Sequence, residues 1–230
     1  MPNNIIMADA KGGGITIDEM ASGAKPTGDI VIKAQTIIEY AFYKRPGITS
    51  IICDATTKTI NNNAFSYCEG LKKLVALGAT SVGRSCAYAQ FIDTIVLPSV
   101  SSIPGGFLQD GMKYGSNGTI DLGNSCASIA GNSFPGANKL FTLILRNSSL
   151  VTLGGTTAFN YTPFANNGAG GTIYIPKVLY DHLGDGTADD YQAAANWSTI
   201  HGYGTITWAK IEGSIYENAY ADGTPIPTGG

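Results

Sequence analysis

Apolar positions along the chain fall into short alternating runs rather than long stripes. "ITSIIC" (48–53), "LKKLVAL" (71–77), "IDTIVLP" (92–98) and "LFTLILR" (140–146) each hold two aliphatics three apart: Ile48/Ile51, Leu71/Leu74, Ile92/Ile95 and Leu140/Leu143. Two residues further on stand Cys53, Ala76, Leu97 and Leu145. Alternation at period two turns one face inward, so each run is predicted to be a short strand. "GTIDLG" (118–123) is a leaner member, and "DIVIKA" (29–34) is an earlier one predicted to cap the N-terminal end.

A second signal lies between these strands. "TIIEYAF" at 36 and "TINNNAF" at 59 share Thr, Ile, Ala and Phe, and "SVGRSCA", "SIPGGFL" and "SIAGNSF" continue the series. The anchors Ile37, Ile60, Val82, Ile103 and Ile129 are spaced 23, 22, 21 and 26 residues apart. A period of this length marks a leucine-rich-repeat-like solenoid, in which each coil buries its apolar side only against its neighbours. Gly, Asn, Ser and one aromatic follow each anchor, which suits turns and single 3-10 turns. Phe42, Phe65 and Phe134 are expected to plug their coils, with Phe107 or Leu108 doing so in the fourth. The third copy has only Ala87 there, a weak coil unless Tyr88 or Phe91 swings in.

The spacing Ile60, Ala64, Phe65, Cys68, Leu71, Leu74, with Ile37, Ala41, Phe42, Ile48 and Ile51 one copy earlier, resembles the BspA-like leucine-rich repeats of gut and oral bacterial surface proteins. Similar repeat proteins are encoded in phages of gut Firmicutes. The resemblance covers roughly residues 30–176 and departs from the pattern in "GGFLQDGMKYGSNGTIDLG", where the coil lengthens and the Cys place is lost. Beyond it, Pro176, Leu179, Tyr180, Tyr191, Ala194, Asn196 and Trp197 resemble the end module of those proteins. The resemblance implies a mainly β solenoid over 29–176 and a small α/β cap over 177–213. An attachment or capping segment (1–28) precedes these and an extended tail (214–230) follows, placed to dock on a neighbouring molecule.

Composition narrows the function classes. Charged residues make up 13% of the chain, about half the usual share, and Gly accounts for 30 of 230 residues. A net charge of −3 without a basic run argues against nucleic acid and anionic membranes. No apolar run approaches the ~20 residues of a membrane span. The start, "MPNNIIMADAKGGG", has neither the basic nor the apolar region of a secretory leader. The expected location is therefore a phage particle, assembled without export, with an extracellular or bacterial-surface site as the alternative.

Candidate chemistry is sparse. Cys53, Cys68, Cys86 and Cys126 form no C-x-x-C, and the histidines His182 and His201 lie far downstream. Buried free thiols are expected rather than a metal site or a disulfide framework. "GDGTADD" (184–190) clusters carboxylates but lacks the order of a calcium-binding loop, so a solvated acidic turn is favoured. No phosphate loop, nucleophile elbow or recurring acid/base pair appears, so no cofactor and no enzymatic activity are expected.

What remains is surface. Strand positions such as Thr49, Ser50, Lys72, Lys73, Asp93, Thr94, Thr119 and Thr142 are predicted to face outward, accompanied by twelve tyrosines. Tyr, Ser, Asn and Gly make adaptable contact surfaces. The binding candidates are Lys72, Lys73, Asp93, Thr94, Tyr88, Tyr114, Thr142 and Trp197. Trp197 is read first as a plug for the open end of the core, with a sugar-stacking platform as its functional alternative. The expected partner is a protein or glycan on a host cell surface, with other virion proteins or a second copy also open.

Overall fold

The computed structural model describes residues 27–165 and 168–227, together with the backbone of two N-terminal strands. The chain forms a leucine-rich-repeat-like parallel β-solenoid. Its main sheet has nine strands in the order β1 (Ile5–Ala8), β3 (Gly28–Lys33), β5 (Ile48–Cys53), β7 (Lys73–Ala76), β9 (Thr94–Leu97), β11 (Gly118–Leu122), β13 (Leu140–Leu145), β15 (Gly171–Ile175) and β16 (Ile206–Lys210). The anchors form two-residue strands along a second side. There β2 (Gly14–Ile15), β4 (Thr36–Ile37), β6 (Thr59–Ile60) and β8 (Ser81–Val82) make one ribbon. A second ribbon holds β10 (Ser102–Ile103), β12 (Ser128–Ile129) and β14 (Thr152–Leu153). Every strand pairing between them is parallel.

The predicted aliphatics stand in rows. Ile30, Ile51, Leu74, Ile95, Ile120, Leu143 and Ile173 are register partners across the main sheet, and all are fully buried. Burial of each such side chain contributes roughly 1.5–3 kcal/mol. A ring column completes the core. Phe42 packs on Phe65 at 5.6 Å, and Phe134 lies between Phe107 at 6.3 Å and Phe159 at 5.3 Å.

The column breaks at Ala87, where neither Tyr88 nor Phe91 turns inward; Tyr88 is half-buried and Phe91 exposed. The longer fourth coil supplies the volume instead, because Phe107, Leu108 and Met112 are all fully buried. Gly111 is fitted between the Leu108 side chain and the Ala87 carbonyl, where an added Cβ would fall 2.5 and 2.6 Å from them.

Two further expectations change. The strand at 28–33 does not close the sheet, since β1 pairs outside it with Ile5 opposite Ile30. The rest of the proposed attachment arm, 9–13 and 16–26 included, lies outside the described residues. The tail is not free for a neighbour either. Residues 211–227 fold back over the outer face of the molecule's own sheet.

The clamp that holds the tail is Asp121, which occupies a row where neighbouring strands carry Val96 and Ile144. Arg146 donates to both its carboxylate oxygens, at 2.7 and 2.8 Å, and to the carbonyls of Tyr216 and Ala219 at 2.7 and 2.9 Å. The Ala221 amide donates to Asp121 at 2.9 Å, and Tyr220 lies 5.2 Å from the guanidinium. Burial pushes the Asp121 carboxyl above its ordinary value against the pull of Arg146.

The C-terminal cap continues the same sheet. Two short helices, α1 (Lys177–Tyr180) and α2 (Trp197–His201), bridge β15 to β16. Strand β14 ends its ribbon and would leave backbone groups unpaired. Side chains of the cap take the place of a next coil. The Val151 amide donates to the Tyr191 hydroxyl at 2.9 Å, while Trp197 Nε1 donates to the Val151 carbonyl at 2.7 Å and Asn196 Nδ2 to the Leu153 carbonyl at 2.6 Å.

Candidate functional site: an aromatic and lysine edge

The turns after each anchor repeat a backbone geometry as well as a composition. The residue three past the anchor is left-handed in five successive coils: Tyr40, Asn63, Ser85, Gly106 and Asn132, with φ between 49° and 74°. A second left-handed position holds Lys44, Tyr67, Asp110, Gly136 and Tyr161. Gly and Asn adopt this region readily, whereas a bulky side chain there costs about 1–2 kcal/mol. Tyr40, Tyr67 and Tyr161 nevertheless occupy it with rings 44%, 41% and 77% exposed.

These residues lie on the stretch that leads from the turns back to the main sheet, and coil-to-coil hydrogen bonds hold them one layer apart. The Tyr67 amide donates to the Tyr88 carbonyl at 2.8 Å, and their rings are 4.7 Å apart. Tyr43 bridges Tyr40 and Tyr67, at 5.4 Å from each. Lys44 Nζ sits 5.1 Å from the Tyr43 ring and 6.0 Å from that of Tyr67, within cation–π range. Burial, with Asp110 and Tyr67 beside it, raises the Tyr88 phenol.

Further along, Phe91 and Tyr114 pack at 5.6 Å, with Lys72 Nζ 5.0 Å from the Phe91 ring and bonded to its carbonyl at 3.1 Å. Lys113 lies 5.9 Å from the Tyr114 ring and pairs with Asp110 at 3.5 Å. Asp93 closes this end: its Oδ1 is buried and has no hydrogen-bond partner among the described residues. A Cβ built on Gly115 would stand 3.2 Å from that oxygen and 3.8 Å from Lys72 Nζ, so all three residues meet there.

The sequence-predicted residues therefore separate into three groups. Lys72, Asp93, Tyr88 and Tyr114 belong to the edge. Lys73, Thr94 and Thr142 stand with Thr119 in a single register row, half-buried on the outer face of the sheet and extended by Thr172 and Thr207. Trp197 is corrected: it is fully buried, with Phe159 at 5.8 Å, Tyr191 at 5.1 Å and Trp208 at 6.0 Å, so no sugar reaches its face. Sequence reasoning missed Tyr40, Tyr43 and Lys44 at the edge; the signal for Tyr40 and Lys44 was a bulky residue at turn positions filled in other coils by Asn, Gly, Ser or Asp.

Other reactive groups are held in structural work. All four cysteines are buried and unpaired, and burial pushes Cys68 and Cys126 up to about 11 and the other two higher still. In the acidic loop Asp190 accepts from the Gly186 and Gln192 amides and Asp185 from that of Thr187. Among the described residues no three His, Cys, Asp or Glu side chains are grouped to share an ion. No described helix is long and apolar enough to cross a membrane.

No family model and no curated protein matches the sequence. Among solved structures, a leucine-rich cell surface protein of Faecalibacterium prausnitzii A2-165 is similar at 13% identity and a TM-score of 0.41. The match covers 65% of this chain and 55% of that one, so the chain spans little more than half its length. The solenoid is established by the strand order of this chain.

Proposed function

We propose that the protein is a non-catalytic recognition module whose aromatic and lysine edge attaches to a protein or glycan on a cell surface. One observation carries the reading. Exposed tyrosines occupy left-handed positions where Gly or Asn would relieve the backbone, and such strain points to a role beyond folding. Tyrosine rings supply rigid contact area at low entropic cost, and the lysines above them add charge that can meet a partner's carboxylates. We place the module on a phage particle, as part of a tail or head fibre, with the bacterial cell surface as the alternative carrier. The resemblance of the coils to BspA-like repeats supports both carriers, and protein identification in purified particles chooses between them.

Fluorescently labelled protein applied to a panel of intact gut bacteria and epithelial cells tests the proposal. Saturable binding is expected to at least one cell type, reduced more than about tenfold by Tyr40→Asn combined with Tyr67→Asn. Equal binding by the double variant would remove the edge from the reading, and turnover of a polysaccharide would overturn its non-catalytic part.

A further inference from the structure

At its C-terminal end the same edge deepens into a cleft of about 610 Å³. That volume falls within the roughly 300–1,000 Å³ of small-ligand sites. Asn138, Asn160 and Tyr161 line it from the solenoid, Pro163 and Ala165 from the following turn, and Tyr203 from the cap. Tyr161 occupies the place that Tyr67 holds four coils earlier. The Gly136 amide reaches the carbonyl of Asn160, just before Tyr161, as the Lys44 amide reaches that of Ser66, just before Tyr67.

We infer that this cleft binds a neutral saccharide. The inference rests on the recognition reading above, because it treats the cleft as the terminal part of the same edge. The described lining residues carry no charge, so none of them would select a phosphate, a carboxylate or a cationic peptide. They do offer two tyrosine rings, 77% and 38% exposed, and two side-chain amides. A sugar ring presents the matching chemistry, with an apolar C–H face to lie on an aromatic ring and hydroxyls to exchange hydrogen bonds with amides.

The polar groups are also available. The side chains of Asn138, Asn160, Tyr161 and Tyr203 make no hydrogen bond among the described residues, although neighbouring hydroxyls are consumed internally. Thr162 Oγ1 donates to the Phe159 carbonyl at 2.7 Å and accepts from the Phe164 amide at 3.2 Å. Thr205 Oγ1 donates to the Phe164 carbonyl at 2.7 Å, tying the cap to the last coil beside the cleft. The walls are therefore set before a ligand arrives, while the groups that face the opening are left to water. Tyr161, the most exposed of the edge tyrosines, retains its left-handed backbone here.

Calorimetric titration of the full chain with neutral tetrasaccharides of glucose, galactose, mannose and N-acetylglucosamine, and with tetragalacturonate as an acidic control, tests the inference. At least one neutral tetrasaccharide should bind more tightly than the control, and Tyr161→Asn and Tyr203→Ala should each weaken it about tenfold. Asn suits the left-handed backbone at 161, so that variant keeps the fold, which circular dichroism checks. No saturation by any neutral tetrasaccharide, stronger binding of the acidic one, or unchanged affinity in both variants would overturn the inference. Cell binding run in parallel separates the two readings. If it persists and remains sensitive to Tyr67→Asn, the edge stands and the cleft alone fails; if it is absent, the wider reading fails.

Discussion

Two sets of aromatic side chains recur in this solenoid, and they obey opposite rules. The inner one, from Phe42 to Phe159 and on to Trp197, is fully shielded and fills every coil but the third, where Ala87 stands. The outer one, from Tyr40 through Tyr67 to Tyr161, stands in solvent on backbone that disfavours bulky residues. Both use fixed places in the coil, the outer one in only some coils, so place in the repeat alone does not distinguish core from exposed edge. The distinction is local. Inner rings sit on ordinary backbone opposite the main sheet, and outer rings sit at the left-handed turn positions. Stability is therefore concentrated in the first column, and the proposed binding is assigned to the second.

The sharpest way to break that division is at its inner end. Trp197→Ala removes the largest fully buried side chain and the donor to the Val151 carbonyl beside β14. A loss of about 3–5 kcal/mol is expected, measured by denaturant unfolding. The loss should exceed that of any substitution on the outer column; a smaller effect would mean that the cap does not seal the core.

Next is the tail clamp. Arg146→Ala leaves the fully buried Asp121 carboxylate without its partner and releases the two hydrogen bonds from Arg146 to tail carbonyls. Uncompensated buried charge costs about 3–5 kcal/mol, and the lower figure is expected because the lifted tail would admit water. Limited proteolysis should then cut between 211 and 227 while the coils stay intact. A tail still protected would show that Tyr174–Tyr216 packing, at 4.9 Å, suffices to hold it.

The clamp also marks how far the sequence was legible. Coil spacing, inward rows and inner rings could be read because each recurs at a fixed offset, and repetition turns a weak local signal into a strong one. The tail could not be read that way, since its contacts join Asp121 and Arg146 to residues 70 to 100 positions away that occur once. The one available hint was a carboxylate in a row of Val and Ile. Likewise Trp197 was named both as plug and as platform, and only burial decided between them. Lys72, Asp93 and Tyr114 converge because successive coils stack, but their meeting around Gly115 depends on the irregular fourth coil.

A smaller effect is expected at Cys68, which is fully buried and whose thiol donates to the Phe42 carbonyl at 2.9 Å. The preceding copy has Arg45 at the equivalent place and the following one about Gln90, so the thiol fills the edge of the core rather than performing chemistry. In Cys68→Ser the hydroxyl can keep that hydrogen bond, and about 1 kcal/mol or less should be lost. Cell binding should be unchanged. Lost binding in a folded Cys68→Ser protein would move function from the outer column into the core.

The smallest expected change in stability is the most discriminating. Tyr67→Asn exchanges an exposed, left-handed tyrosine for a residue that tolerates this backbone, and it also removes the ring contacts to Tyr43 and Tyr88. Relief of backbone strain, about 1 kcal/mol, opposes the loss of two exposed ring pairs, each about 0.5–1 kcal/mol. The unfolding free energy should therefore stay within about 0.5–1 kcal/mol of the parent while cell binding falls. A variant destabilised as strongly as Trp197→Ala would make the outer column structural after all. Unaltered stability with unaltered binding would leave the strain at Tyr67 without a purpose.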